Sequence, residues 1–250
     1  MSYHVDLRGK IALVTGASSG FGAHFAEVLA RAGASVIIGA RREEMLATTA
    51  EKIVAAGGQC ETFSLDVTSP DSIEQSAGTI ERADILINNA GIVRPAALLD
   101  HSVDDWDAVM DTNTKGMFLM TQAAAKGMKT RSSGSIINIA SILGLRQANS
   151  LASYAVSKAA AIQLTKVSAL ELARFGIRVN ALAPGYVSTD LNGDFWESPA
   201  GTAMIQRIPQ RRLGELRDLD GPLLLLASDA SAYMNGSVVE VDGGHLVSTL

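Results

Sequence analysis

The sequence predicts an α/β fold: a single doubly wound domain whose seven-stranded parallel sheet carries helices on both faces. Three observations lead there. Short runs that are apolar throughout alternate with helix-like periods along the whole chain. A strand covered on both faces has no polar side to show, so such runs between helices mark a parallel sheet. The 250 residues, 47% hydrophobic and 19% charged, suit one large core, and no repeat, low-complexity tract or linker divides the span 1–250.

The elements follow in order. Residues 11–14 are a strand, and 20–32 read as a helix closed by Gly33. Residues 35–39 form a second strand, and 42–56 a helix that stops at Gly57-Gly58. A third strand covers 62–65. Ser69 as N-cap and Pro70 in the first turn open the next helix, and 84–87 are the fourth strand. Ser102-Val103-Asp104-Asp105 resembles a capping box with Asp in place of Glu, and opens a long helix to about residue 129. Residues 135–139, 177–182 and 237–241 are the remaining strands, separated by helices over 151–174 and 215–227. Tyr186, Phe195 and Trp196 make the stretch 184–212 a lid over a pocket rather than a linker.

The first strand runs straight into Thr15-Gly16-Ala17-Ser18-Ser19-Gly20-Phe21-Gly22. Glycines let the backbone turn sharply and approach a ligand. The helix that starts there offers free N–H groups and a partial positive charge to a pyrophosphate. The G-x-x-x-G-x-G spacing is a variant of the dinucleotide fingerprint, so the domain is expected to be of Rossmann type. The second strand ends at Gly39-Ala40-Arg41-Arg42. An acid there would accept hydrogen bonds from a free ribose 2′-hydroxyl, whereas arginines suit a 2′-phosphate. Arg41 and Arg42 therefore point to NADP(H), with Arg41 the first candidate because it directly follows the strand.

Tyr154 and Lys158 lie four apart near the start of a long helix, on one face of it. An ammonium beside a phenol favours the phenolate, which fits Tyr154 for proton transfer near neutral pH. Ser141 ends the fifth strand, at the sheet edge where parallel sheets bind ligands, and can hold a substrate oxygen against the tyrosine. Asn88-Asn89-Ala90-Gly91 follows the fourth strand to the same edge. Asn113 sits in Asp111-Thr112-Asn113-Thr114, a run of poor helix formers that marks a bulge or kink.

These residues together resemble the short-chain dehydrogenases/reductases, over essentially the whole chain. The resemblance rests on residues 15–22, Asp66-Val67, residues 88–91, the ordered set Asn113, Ser141, Tyr154 and Lys158, and residues 184–189. It implies Tyr154 as general acid/base, Ser141 as anchor of the substrate oxygen, and Lys158 as the residue that binds the nicotinamide ribose and tunes Tyr154. It implies Asn113 as holder of a water in a proton relay to Lys158. Gly16, Ser18, Ser19, Gly20, Phe21 and Gly22 would cradle phosphate, Asp66 and Val67 would touch the adenine, and Asn88, Ala90 and Gly91 would line the adenosine side. Pro184, Gly185, Val187 and Thr189 would hold the carboxamide. The resemblance also implies a homotetramer, with the helices over 102–129 and 151–174 against partner helices. Two departures stand out: the stretch from Asp66 to Asn88 is short, so the helix at 70–82 should be clipped, and Ser19 stands where some NADP-using relatives carry a basic residue.

The substrate pocket is expected from Val93, Arg94, Leu143, Gln147, Tyr186, Phe195 and Trp196. That lining predicts a bulky, uncharged ketone or its alcohol, turned over by a carbonyl reductase or secondary-alcohol dehydrogenase. The alternatives are a 3-oxoacyl-carrier reductase, for which Arg207, Arg211, Arg212 and Arg217 could form the docking patch, and a non-catalytic NADP-binding sensor or scaffold. The net charge of −5 has no block of one sign, which gives no argument for nucleic acid or an anionic membrane. No apolar run reaches the roughly 20 residues needed to span a bilayer. Residues 1–6 lack the pattern of a secretory leader, and one cysteine, Cys60, excludes an intrachain disulfide, so a reducing cytoplasm is expected. His4, His24, His101 and His245 have no metal-ligand spacing, and no metal is expected.

Overall fold

Successive side chains of a strand point to opposite faces, and in the central strands of this chain both faces are covered. The computed structural model describes residues 5–188 and 196–248. Its strands are β1 (Ile11–Thr15), β2 (Ser35–Ala40), β3 (Gln59–Ser64), β4 (Ile85–Asn88), β5 (Gly134–Ile139), β6 (Ile177–Pro184) and β7 (Val238–Val241). They form one seven-stranded sheet in the order β3-β2-β1-β4-β5-β6-β7, parallel at every pairing. Ala12 and Val14 of β1 enter one core with Phe25, Leu29, Leu46, Ile53, Leu223 and Leu226. Leu13, between them, enters the other with Ile73, Ile80, Met120 and Met128.

The first core therefore lies under α1 (Gly20–Arg31), α2 (Glu43–Ala55) and, late in the chain, Asp220–Ala227. The second lies under α3 (Pro70–Gln75), α4 (Ala77–Ile80), α6 (Gly116–Arg131) and α7 (Ala152–Leu172), with α5 (Val103–Met110) packed on α7. Among the described residues two more α-helices follow, α8 (Pro199–Ile205) and α9 (Asp220–Ala227). Strand order reverses at β1 and β4, and the crevice at the carboxyl ends of these strands is where such sheets bind ligands.

Four local outcomes refine the reading of the sequence. β3 begins at Gln59 rather than 62, because an edge strand is covered on fewer sides and tolerates polar Gln59 and Glu61 in register with β2. The segment after Ser69 is clipped: Ser69 accepts from Ser72 N at 3.2 Å with Pro70 behind it, but the helix breaks at Ser76 and ends at Ile80. At Ser102 only half a capping box forms. Its hydroxyl accepts from Asp105 N at 3.1 Å and donates to the Asp105 carboxylate at 3.0 Å, since Asp is one methylene short of reaching back as Glu does. The long helix is interrupted by a π-helical turn, Asp111–Lys115, between α5 and α6.

Candidate active site

The glycine-rich turn is built around a clamp from the end of β4. Thr15 Oγ1 donates to the Ile87 carbonyl and accepts from the N–H groups of Asn89 and Ala90 at 3.0 and 3.1 Å. The Asn89 amide donates back to the carbonyls of Thr15 and Gly16. A Cβ at Gly22 would collide with the Gly16 carbonyl and that amide, whereas one at Gly20 would meet nothing. The space above Gly20, where φ is +56°, is thus open at the start of α1. Ser19, the N-cap, makes no side-chain cap bond, and no acid occupies the first turn. An uncapped, twelve-residue helix facing an open glycine turn fits a pyrophosphate.

The two arginines after β2 part company. Arg42 reaches over the turn and donates to Ser18 Oγ at 2.8 Å and Ser19 Oγ at 2.9 Å. Arg41 instead faces Asp66. Burial alone would raise the Asp66 carboxyl, but two bonds from Thr68 and the Arg41 charge bring it below its usual range. Val67 packs against Gly116, and Asn88 is buried, donating to Thr121 and Asn138 at 3.0 and 2.9 Å. Asn88 thereby ties strands to helices, while Asn89, expected only as part of the adenosine lining, shapes the turn.

The second half of the crevice gathers the catalytic set. Gly144 lacks a side chain where one would strike the Lys158 backbone, so the turn after β5 packs onto α7 and brings Ser141 to Tyr154. Ser141 Oγ accepts from Leu143 N at 3.1 Å and lies close enough to the Tyr154 hydroxyl to favour its ionised form. Lys158 is buried, its Nζ 5.5 Å from the centre of the Tyr154 ring and donating to the Ile139 carbonyl at 2.7 Å. Burial pushes the Tyr154 phenol above its usual value, against the effect of Ser141, and pushes Lys158 down to about 8. The lowered phenol expected from the Tyr-Lys pair is therefore not seen in the chain alone. Desolvation disfavours the charge of both groups, and Lys158 spends its bond on a carbonyl.

Asn113 is fully buried in the π turn. Its amide nitrogen donates to the Ile92 carbonyl and Ser157 Oγ at 2.9 and 3.0 Å, and its oxygen accepts from Ile92 N at 2.8 Å. Ser157 in turn donates to the Tyr154 carbonyl at 2.7 Å. The Asn113 side chain thus fastens residues 91–92 to α7, and both its N–H donors are taken. Gly91 lies against the same side chain.

The lid is described in part. Pro184 ends β6, and Gly185 donates to the Val241 carbonyl at 2.9 Å. Tyr186 and Ser188 bond Gly214 on either side of Val187, whose own N–H and C=O have no backbone partner among the described residues. The Tyr186 ring lies 5.4 Å from Trp196 and 5.5 Å from His245. Leu143 is buried beneath Ser141. Gln147 and Val93 are exposed, and Arg94 pairs with Asp105 at 3.5 Å on the rim. Thr189 and Phe195 lie outside the described residues. A cavity of about 360 Å³ lies beyond Tyr186, lined by Val187, Gln210, Asp218, Glu240 and Asp242 and by none of Ser141, Tyr154 or Lys158. Among the described residues no group of three or more His, Cys, Asp or Glu could hold a metal ion, and no helix is long and apolar enough to cross a membrane. Cys60 is half-buried, and burial pushes its thiol up to about 11, which leaves it unreactive.

Comparison with known proteins agrees with this architecture. The profile of the short chain dehydrogenase family matches residues 10–200. A gluconate 5-dehydrogenase of Gluconobacter oxydans is 40% identical, covering 97% of each chain. A 3-oxoacyl-(acyl-carrier-protein) reductase of Thermotoga maritima is 38% identical over 96% of this chain and 99% of its own. The crystal structure of a gluconate 5-dehydrogenase from Burkholderia cenocepacia, in complex with NADP and tartrate, superposes with a TM-score of 0.94 at 37% identity over 98% of both chains. The chain belongs to the short-chain dehydrogenase family.

Proposed function

We propose that the chain is an NADP(H)-dependent oxidoreductase that moves a hydride between the nicotinamide and the carbon of a ketone or secondary alcohol. The observation that carries it is the meeting of Ser141, Tyr154 and Lys158 at the carboxyl end of β5, beside an open phosphate cradle. When bound, NADP(H) supplies or accepts the hydride. Tyr154 Oη gives its proton to the substrate oxygen in reduction and takes it in oxidation. Ser141, already oriented by Leu143 N, holds that oxygen. Lys158 places a positive charge under the phenol ring and is positioned for the nicotinamide ribose. The backbone groups of Val187, without a backbone partner among the described residues, suit a carboxamide, and Arg42 with Ser18 and Ser19 suits the 2′-phosphate.

The carrier-reductase alternative needs a basic docking patch. Arg212 is paired with Asp218 at 2.6 Å and Arg217 with Glu215 at 2.7 Å, which leaves Arg207 and Arg211 without carboxylate partners among the described residues. A small-molecule substrate is therefore preferred. A scaffold role leaves the assembled Ser141–Tyr154–Lys158 set without a purpose. By the same reading the protein is a homotetramer, built through the apolar surface of α5–α7. Tyr154→Phe should lower kcat by at least about a thousandfold while the Kd for NADPH stays within about twofold. Substantial turnover by this variant would remove Tyr154 from the mechanism.

A further inference from the structure

Arg146 is a half-buried cation near the catalytic tyrosine, and among the described residues it has no counter-ion. It lies five residues beyond Ser141, on the turn that packs against α7. Its Nη1 donates to the His245 carbonyl at 2.6 Å, and Nε and Nη2 have no partner among the described residues. None of the ion pairs among those residues involves Arg146. The rim arginine, Arg94, is by contrast matched with Asp105. Asp242, the acid that acts on His245, has both oxygens occupied by the N–H groups of Gly244 and Leu246.

His245 adds an independent observation. It is buried, yet its Nδ1 has no hydrogen-bond partner. Burial and the neighbouring charges of Arg146 and Arg207, against Asp242, hold its imidazole below the usual value and therefore neutral at pH 7. The Tyr186 ring lies 5.5 Å from it, feels the Arg146 charge, and is close enough to act on Tyr154. A guanidinium with two donor nitrogens unpartnered among the described residues, on the turn that also carries Ser141, and a buried imidazole nitrogen thus lie by Tyr186. An orphaned buried polar atom is costly unless a ligand satisfies it, and an unpaired guanidinium beside it is a ready partner for an anion.

We propose that Arg146, seated on the His245 carbonyl beside Tyr186, binds a carboxylate of the substrate, and that the substrate is a ketone or secondary alcohol carrying an acid group several bonds from the reacting carbon. The proposal rests on the hydride-transfer reading and names its substrate class, replacing the uncharged ketone expected from the sequence. Arg146 and His245 set specificity, and the proton transfer stays with Tyr154.

The test is calorimetric binding to the NADP⁺-saturated protein of D-gluconate and 3-hydroxybutyrate, each against its primary amide. At least one acid should bind about tenfold or more tightly than its amide, the size expected of a charge-assisted pair. Arg146→Gln should bring that ratio to about one with NADP⁺ affinity kept, and Arg146→Lys should retain part of it. If the Gln variant unfolds, the Lys variant decides, because a shorter, single-point donor must lower the ratio. Equal binding of acids and amides, no binding of any acid, or a ratio that ignores both variants would overturn the proposal. Tyr154→Phe should keep the ratio while losing turnover. Retained turnover in that variant would defeat the hydride-transfer assignment and leave the carboxylate site standing.

Discussion

Lys158 is buried with Tyr154 half-buried beside it, and desolvation moves them in opposite directions because it opposes the charge of each. For Lys158 the consequence is measurable as stability. A pKa lowered from 10.5 to about 8 means that the charged side chain is held in the folded chain at a cost of about 3 kcal/mol. Lys158→Met removes that cost but orphans the Ile139 carbonyl, worth about 1 kcal/mol. The variant should therefore be more stable by about 2 kcal/mol in urea unfolding, and inactive. The sign fixes the pH window. The gain is full below pH 8, where wild-type lysine is charged in both states, and fades between about 8 and 10.5, where the folded form has already lost its proton. A destabilised variant at pH 7 would show that Lys158 is a structural ion rather than a strained functional one. Arg42 and Arg41 separate in the same way at the cofactor: Arg42→Ala should raise the KM for NADPH about tenfold and leave that for NADH nearly unchanged, while Arg41→Ala, acting through Asp66, should affect both alike. The opposite pattern would return the 2′-phosphate to Arg41, the residue that strand position alone favoured.

At the scale of elements, the glycine turn and the π turn do the positioning. Gly20 and Gly22 look equivalent in the motif and are not equivalent in the fold. Alanine at Gly22 drives a methyl into the Gly16 carbonyl and the Asn89 clamp, so Gly22→Ala should lower stability by several kcal/mol, on the order of severe overpacking. Alanine at Gly20 meets no atom and pays only for a left-handed backbone, about 1–2 kcal/mol, but its methyl projects into the cradle. Gly20→Ala should stay folded and bind NADPH at least about tenfold more weakly, read by urea unfolding and fluorescence titration. Equal stability losses would mean that the Asn89 clamp is soft. This difference was not legible in the sequence, because the clamp joins Asn89 to Thr15 across 74 positions. The π turn was legible as weakness, since Asp-Thr-Asn-Thr is a poor helix run. Its outcome, an Asn113 turned inward onto Ile92 and Ser157, depends on neighbours 21 and 44 residues away.

At the scale of the molecule, the parallel sheet was readable because strands buried on both faces must be apolar throughout, and the one stretch the rule missed, Gln59 to Glu61, belongs to an edge. The specificity cluster was not readable: Arg146 and His245 meet 99 residues apart, and neither belongs to a motif. The proposed tetramer makes a demand on what the fold leaves uncovered. A tetramer of dihedral symmetry needs two distinct self-complementary patches on each chain. One is present on α5–α7, where Val103 is 72% and Leu170 81% exposed beside Phe118, Val156 and Val167. The second lies beside the free edge of the sheet at β7, with Tyr233 and Val247. Burying each large apolar side chain contributes about 1.5–3 kcal/mol, so an introduced charge should open its own interface and spare the other. Sedimentation equilibrium should give four times the 26.2 kDa chain mass for the wild type, and half of that for both Leu170→Asp and Tyr233→Asp. A double variant should sediment as a monomer. A wild-type monomer, or single variants that stay tetrameric, would show that these two surfaces do not hold the assembly together.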